Sequence, residues 1–400
     1  NISDKMLPKK QYQIDFVDKN GKDEDYSFLG MPAASSWVIT GSFADRSVIR
    51  NALVHNLGRD MGKQRNNPSF AQRNKFTEVF INKQYMGLYL AIEKPEIHEN
   101  RLDIPTMSIK KFELSHEISY LAQVQTDIKE VNNLTDMGTN IKFRYPSDKK
   151  IEKWRKENSE VATKMMNAIM SDIQRFENAL WDFSQNPQNT RYQDLVDIDS
   201  LVDYVVVQEA TKNIDGYRRS LHFYKGKNGK IYFGPLWDFD LAIGNVFLPS
   251  YDSHRISGWN FPRKHYLDLQ NPPFWFRTLM TDPLVVSKFI IRYKELRSNG
   301  GILSDNEINT RIDLMIADLG NSTERNYATW GRGRNPIVRY IYDRPPYLKG
   351  FEANFEKMRE WLLARLKWMD QNVDDLQKFP DSRSRKEKKK EKKVPGDFGK

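Results

Sequence analysis

Three carboxylates stand in one stretch, "KNIDGYRRSLHFYKGKNGKIYFGPLWDFDLAIGN" (residues 212–245). Asp215 closes an apolar helical pattern, and Asp238 and Asp240 close a strand pattern two residues apart. Acids at the ends of adjacent elements are either solvated turn and cap residues or ligands converging on a cation. Asp238 could serve simply as the cap of "LAIG". The order of the stretch suggests more. A buried helix runs into one Asp, a polar residue (Ser220) follows five positions later, and a second Asp comes after two short strands. Phosphoryl transfer uses that layout. The first acid orients the acceptor hydroxyl, the polar residue holds metal, and the second acid bridges metal to phosphates. The transferred group carries negative charge, Mg²⁺ neutralises it, and Mg²⁺ prefers carboxylates with retained waters. Spacing alone leaves both readings open. The six His are scattered without HExxH or paired spacing, which argues against a zinc hydrolase, and neither GxSxG nor GxxxxGK[ST] occurs.

The elements that must position these acids are partly readable. "KKQYQIDFV" (residues 9–17) alternates as a half-buried strand does, and "KNGKDED" is a polar turn. "LGMPAASSWVITG" is expected to be a loop entering a short apolar segment. Residues 45–62 read as a helix with Asp45 at its N-cap and Gly62 as its stop. "TEVFI" and "YMGLYLAIE" form a hairpin about "NKQ". Residues 1–96 are therefore expected to be a strand-rich lobe with one helix. Residues 97–380 are expected to be mainly helical. One long amphipathic helix spans about 154–183, a largely buried one covers 197–213, helices fill 272–320, and a last one covers 350–377. The hairpin around Gly226–Gly229 interrupts them, "SIKKFELSHEISYLAQV" reads as mixed strand and loop, and residues 321–350 read as loop.

Composition narrows the class. With 400 residues, 39% of them hydrophobic, the chain can bury a sizeable core in two or three lobes. No apolar run reaches the roughly 18 residues of a membrane span. Cysteine is absent, which excludes disulfides and thiolate chemistry. The chain opens at Asn1 rather than Met, so a processed or truncated product is expected. Half of the net charge of +10 sits in residues 381–400, where "RSRKEKKKEKK" reads as a disordered basic tail able to contact an anionic surface. The rest is only mildly basic, and no specific nucleic-acid partner is expected.

Three blocks together resemble the spore-coat protein H (CotH) kinase family: "FLGMPAASSWVITGSFADRSVIRNALVHNLGRDMG", "FTEVFINKQYMGLYLAIEKPEIHENRLDI" and "NIDGYRRSLHFYKGKNGKIYFGPLWDFDLAIGN". Their order and spacing match over roughly residues 8–250, and the remainder looks like the helical extension of bacterial envelope members. The resemblance implies an α+β, atypical protein-kinase-like two-lobed fold with a helical C-terminal extension. It implies ATP with Mg²⁺ or Mn²⁺, protein substrates with Ser or Thr acceptors, and an extracytoplasmic or envelope location. By this resemblance Asp215 is the catalytic-loop acid and Asp238 the metal acid, with Asp240 accessory or alternative. Lys10 is the phosphate-contacting lysine, with Lys9 as the alternative, and Glu93 lies at the nucleotide-proximal hinge. Arg50 reaches phosphate or a carboxylate, and Asp60 can stand for the lysine-pairing acid. Ser220 departs from the Asn usual in the family, which sustains an alternative: a catalytically weak pseudokinase acting as an envelope or coat assembly module.

Overall fold

The alternating residues at the start form β1 (Tyr12–Asp15). The computed structural model describes residues 8–125, 133–246, 254–262, 272–330 and 351–378. β2 (Tyr26–Phe28) precedes the stretch expected as a loop entering an apolar segment, and that stretch instead holds two strands, β3 (Met31–Ala34) and β4 (Ser36–Thr40). Its Pro, Ala and Ser residues have poor strand propensity, but Met31, Ala34, Trp37 and Ile39 close a small core with Tyr89 and Ala91. Burial outweighs propensity there.

Helix α1 (Arg50–Gln64) begins later than expected, and Gly62 lies inside it. Asp45 caps it from a distance: its Oδ2 accepts from the Arg50 N–H at 3.0 Å. The hairpin is as read, with β5 (Asn74–Ile81), β6 (Gln84–Glu93) and positive φ at both Asn82 and Lys83. That pair of values is the twist-matched two-residue turn. The antiparallel sheet runs β1-β4-β6-β5.

The second part is less purely helical than expected. After α2 (Ile109–Ser115), strands β7 (Leu121–Val124), β8 (Asn133–Leu134) and β9 (Asn140–Tyr145) join a second sheet. The single long helix is two, α3 (Asp148–Glu157) and α4 (Ser159–Gln185). Asn158 is extended between them, and its side chain accepts from the Val161 N–H, capping α4. Then come α5 (Tyr192–Leu195), α6 (Ile198–Thr211), β10 (His222–Lys225) and β11 (Ile231–Phe233). The second sheet is ordered β11-β10-β7-β9-β8.

The extension comprises α7 (Trp275–Leu279), α8 (Pro283–Arg297), α9 (Asp305–Leu319), α10 (Ser322–Trp330) and α11 (Phe351–Asn372). Helix α10 occupies the start of the expected loop. Residues 331–350 and the basic tail 381–400 lie outside the described residues. The result is a mixed α/β fold with a helical C-terminal extension. One continuous apolar core runs from Leu53 and Leu57 of α1 through Val205 and Val206 of α6 to Leu362 and Leu366 of α11. Among the described residues no helix is long and apolar enough to cross a membrane.

Candidate active site

Helix α6 is buried along its length from Ser200 to Thr211, so its C-terminal end is fixed by packing. Lys212 turns left-handed (φ 47°) and stops it. Asn213 follows, fully buried, and its amide joins two loops. Its Oδ1 accepts from the Asp215 N–H at 3.1 Å, and its Nδ2 donates to the Asp238 carbonyl at 3.1 Å. The Asp215 carbonyl accepts from the N–H groups of Arg218 (3.1 Å) and Ser220 (2.9 Å), and its carboxylate pairs with Arg218 at 2.9 Å.

Gly216 has no room for a side chain, because a Cβ there would stand 2.0 Å from Gln208 Oε1. Gly216→Ala is therefore expected to destabilise the protein by about 1–3 kcal/mol through overpacking. A calorimetric melting temperature unchanged from wild type would show that Gln208 simply swings aside.

The second loop is held from helix α1. Phe239 N–H donates to Asn51 Oδ1 at 2.7 Å, and Asn51 Nδ2 donates to the Asp240 carboxylate. Arg50 pairs with Asp45 and donates to the carbonyls of Ala242 (3.1 Å) and Ile243 (3.3 Å). Asn245 Nδ2 donates to the carbonyls of Asp240 (2.6 Å) and Ala44 (2.9 Å). The ring of Phe239 is buried edge-on to His55 at 6.0 Å. Burial brings the His55 pKa down to about 3, so the ring is neutral and serves as packing.

The acids lie close enough to act on one another electrostatically. Asp238 has φ +61° and is exposed to solvent, yet protein crowds around its carboxyl. Burial, and then the charge of Asp215, push its carboxyl up to about 6. Asp240 is raised well above the usual carboxylate range by burial, then by Asp238 and Asp45, against the pull of Arg50 and a hydrogen bond from Ser42. Among the described residues no three His, Asp or Glu gather as a ready-made cation cage. Two mutually repelling carboxylates fit an ion that keeps its waters and shares substrate phosphates, as Mg²⁺ does, better than a closed zinc or calcium cage.

The structure separates the remaining sequence candidates. The Lys10 side chain is exposed, whereas Lys9 is buried. Burial lowers the Lys9 pKa to about 7, against the attraction of Asp240. Glu93 is buried at the end of β6, and both its oxygens are engaged by Arg73, one by its guanidinium at 2.6 Å and one by its N–H at 2.8 Å. Arg50 meets a carboxylate, that of Asp45. Ser220 is buried beside Asp215. Asp60 is spent on Lys63 and Arg311, each at 2.7 Å.

Sequence reasoning missed Asn51 and Asn213, the two amides that tie the loops together. An Asn two residues before Asp215 was visible, but only the fold shows that it reaches the Asp238 carbonyl. A family model described as CotH kinase protein matches residues 1–369. No curated protein matches the chain.

Proposed function

The chain belongs to the CotH kinase family, and on that premise we propose that it transfers the terminal phosphoryl group of ATP to Ser or Thr hydroxyls of a protein. The observation carrying this reading is the Asp215–Asp238 pair, two repelling carboxylates on loops that Asn213 ties together. Residues 8–96 and 97–378 then act as the two lobes of a kinase-like arrangement, with the cleft between them.

In this reading Asp215 orients the acceptor hydroxyl and takes its proton as the new O–P bond forms and ADP leaves. Asp238, with Asp240 beside it, would hold Mg²⁺ or Mn²⁺, and Ser220 would assist through its hydroxyl. Once bound there, such an ion would supply charge neutralisation for the phosphates. Lys9, the buried lysine of the two candidates, contacts the phosphates, and Arg50 holds the loop that carries Asp240. Glu93, braced by Arg73, steadies the hinge. The acceptor protein is a coat or envelope component, and the protein works outside the cytoplasm. Residues 381–400 add contact with an anionic surface.

Titration calorimetry with Mg-ATP, followed by phosphate transfer to a Ser-rich peptide, tests the reading. Binding with transfer is expected, and absence of Mg-ATP binding would refute it. Binding without transfer would favour the assembly-module reading. Ser220 supports that alternative, since a hydroxyl is a weaker metal ligand than the amide oxygen of Asn. Asp215→Asn is expected to cut transfer by about 10²–10⁴-fold and to leave the Kd for Mg-ATP within about threefold, because Asp215 acts on the acceptor. An equal loss in both would move Asp215 from the acceptor to the metal.

A further inference from the structure

β4 stops pairing with β6 at Thr40–Leu90, while β5 accompanies β6 to the hairpin. The β4-side edge of β6 before Leu90 therefore needs other partners for its backbone groups. Helix α10 of the C-terminal extension supplies them. Asn326 Oδ1 accepts from the Leu88 N–H at 3.0 Å, and Trp330 Nε1 donates to the Met86 carbonyl at 2.7 Å. Arg325 pairs with Glu78 on the neighbouring strand at 2.7 Å.

The same Asn326 Oδ1 accepts from the Lys9 ammonium at 2.9 Å. Lys9 Nζ also donates to the Leu88 carbonyl and lies 4.5 Å from the centre of the Tyr89 ring. An ammonium has three donors. Two are held by Asn326 and Leu88, which leaves one, and Asp240 lies near enough to act on the ammonium electrostatically. Gly87 fits this close approach. It has φ +111°, and a Cβ there would stand 2.7 Å from both Asn326 Oδ1 and Trp330 Nε1.

We infer that Asn326 is a positioning residue of the phosphate site: reaching from α10, it fixes the Lys9 ammonium so that its remaining donor meets a nucleotide phosphate. The role for Lys9 rests on the function proposed above, but the Asn326 contact does not. A residue more than 300 positions along the chain thus completes the phosphate-facing wall of the cleft. The C-terminal extension is part of the nucleotide site and not an appendage to it.

The test uses the full chain, and its first readout needs no nucleotide. Reductive methylation of Lys9 under native conditions, followed by mass spectrometry, is expected to be slow in wild type and at least tenfold faster in Asn326→Leu. Gly87→Ala, whose Cβ would crowd Asn326 Oδ1 and Trp330 Nε1, pushes α10 away without substituting Lys9 or Asn326 and should behave alike. Asn326→Asp keeps the acceptor and should restore protection, and Arg325→Gln should stay at the wild-type rate. In titrations with Mg-ATP, Asn326→Leu should raise the Kd about tenfold, and should add nothing to Lys9→Met.

Unchanged Lys9 labelling in both Asn326→Leu and Gly87→Ala overturns the inference whatever the nucleotide does. An equal rise in Kd in the wild-type and Lys9→Met backgrounds overturns it too, since it would assign Asn326 a general structural role. Faster labelling in a protein that never binds Mg-ATP supports the Asn326 contact and refutes the proposed function instead.

Discussion

Asp238→Asn is expected to make the protein inactive and, without metal, more stable. Asn tolerates the left-handed backbone that Asp238 adopts (φ +61°), so the exchange removes charge and adds little strain. The carboxyl titrates at about 6 in the folded chain, above the usual carboxylate value of 3.8. The folded state therefore binds the proton more tightly than the unfolded one. Stability from this group is fully present below about pH 4 and is lost as pH rises through 6. At pH 7.5 the charge persists against burial and Asp215. A shift of two pH units corresponds to about 3 kcal/mol. Solvent reaches Asp238, so screening reduces the expected gain on neutralisation to about 1 kcal/mol.

Thermal melts from pH 4 to pH 8 provide the check. Metal-free wild type should lose stability between pH 4 and 6.5, and Asp238→Asn should follow a flatter curve that lies higher at pH 7.5. Millimolar Mg²⁺ with ATP should raise the wild-type melting temperature and leave the variant unmoved. Phosphate transfer should fall at least about 10³-fold, as expected when the group holding the charge-neutralising ion is lost. A variant that keeps transfer removes Asp238 from the metal site. This pairing of lost function with gained stability separates a functional carboxylate from a capping residue, whose loss would destabilise.

The legible parts of the fold were those whose signals are local. The β5–β6 hairpin, helix α6 and the β10–β11 pair each carry their periodicity and turn residues within a few positions. The unread parts depended on distant partners. β2, β3 and β4 owe their strand geometry to Trp37 and Ile39 packing on Tyr89, some fifty residues away. β7 and β9 are short, and β7 pairs with β9 about twenty residues on and with β10 about a hundred residues on. The site divides in the same way. Asp215 and Asp238 stand out in sequence because a buried helix and a hairpin point to them. The choice between Lys9 and Lys10 could not be read from alternation. What distinguishes the two is that Lys9 is buried against Asn326 and Leu88, both far along the chain, while Lys10 is exposed. Asn51 likewise looks like any polar residue on α1 until the Phe239 N–H is seen to rest on it.

Arg365→Met is expected to cost about 3–5 kcal/mol, the largest single loss of stability anticipated outside the apolar core. Arg365 lies on α11 and is fully buried, as is Glu209 of α6, with which it pairs at 3.3 Å. Its guanidinium also donates to the backbone carbonyls of Glu209 (2.9 Å), Ile256 (2.6 Å) and Gly258 (2.8 Å), and stacks near Trp368 at 4.7 Å. Methionine keeps much of the bulk, so the expected cost comes from stranded polar groups and not from a cavity. Glu209 is tied to the candidate active site: its Oε1 accepts from the Tyr217 hydroxyl at 2.8 Å, two residues after Asp215. Its oxygens also accept from the N–H groups of Asn260 (2.7 Å) and Phe261 (2.8 Å). Losing Arg365 therefore loosens the loop that carries Asp215 as well as the segment 254–262. Urea unfolding should show the lower midpoint, and transfer at a temperature where the variant stays folded should fall several-fold. Adding Glu209→Gln should cost less than the two single losses combined, because each single change leaves a buried charge without its partner. Arg365→Lys should recover less than half of the loss, since one ammonium cannot span the carboxylate and three carbonyls that a planar guanidinium reaches together. A loss below about 1 kcal/mol in Arg365→Met would place the pair among solvated ion pairs, and would detach α11 from the support of the Asp215 loop.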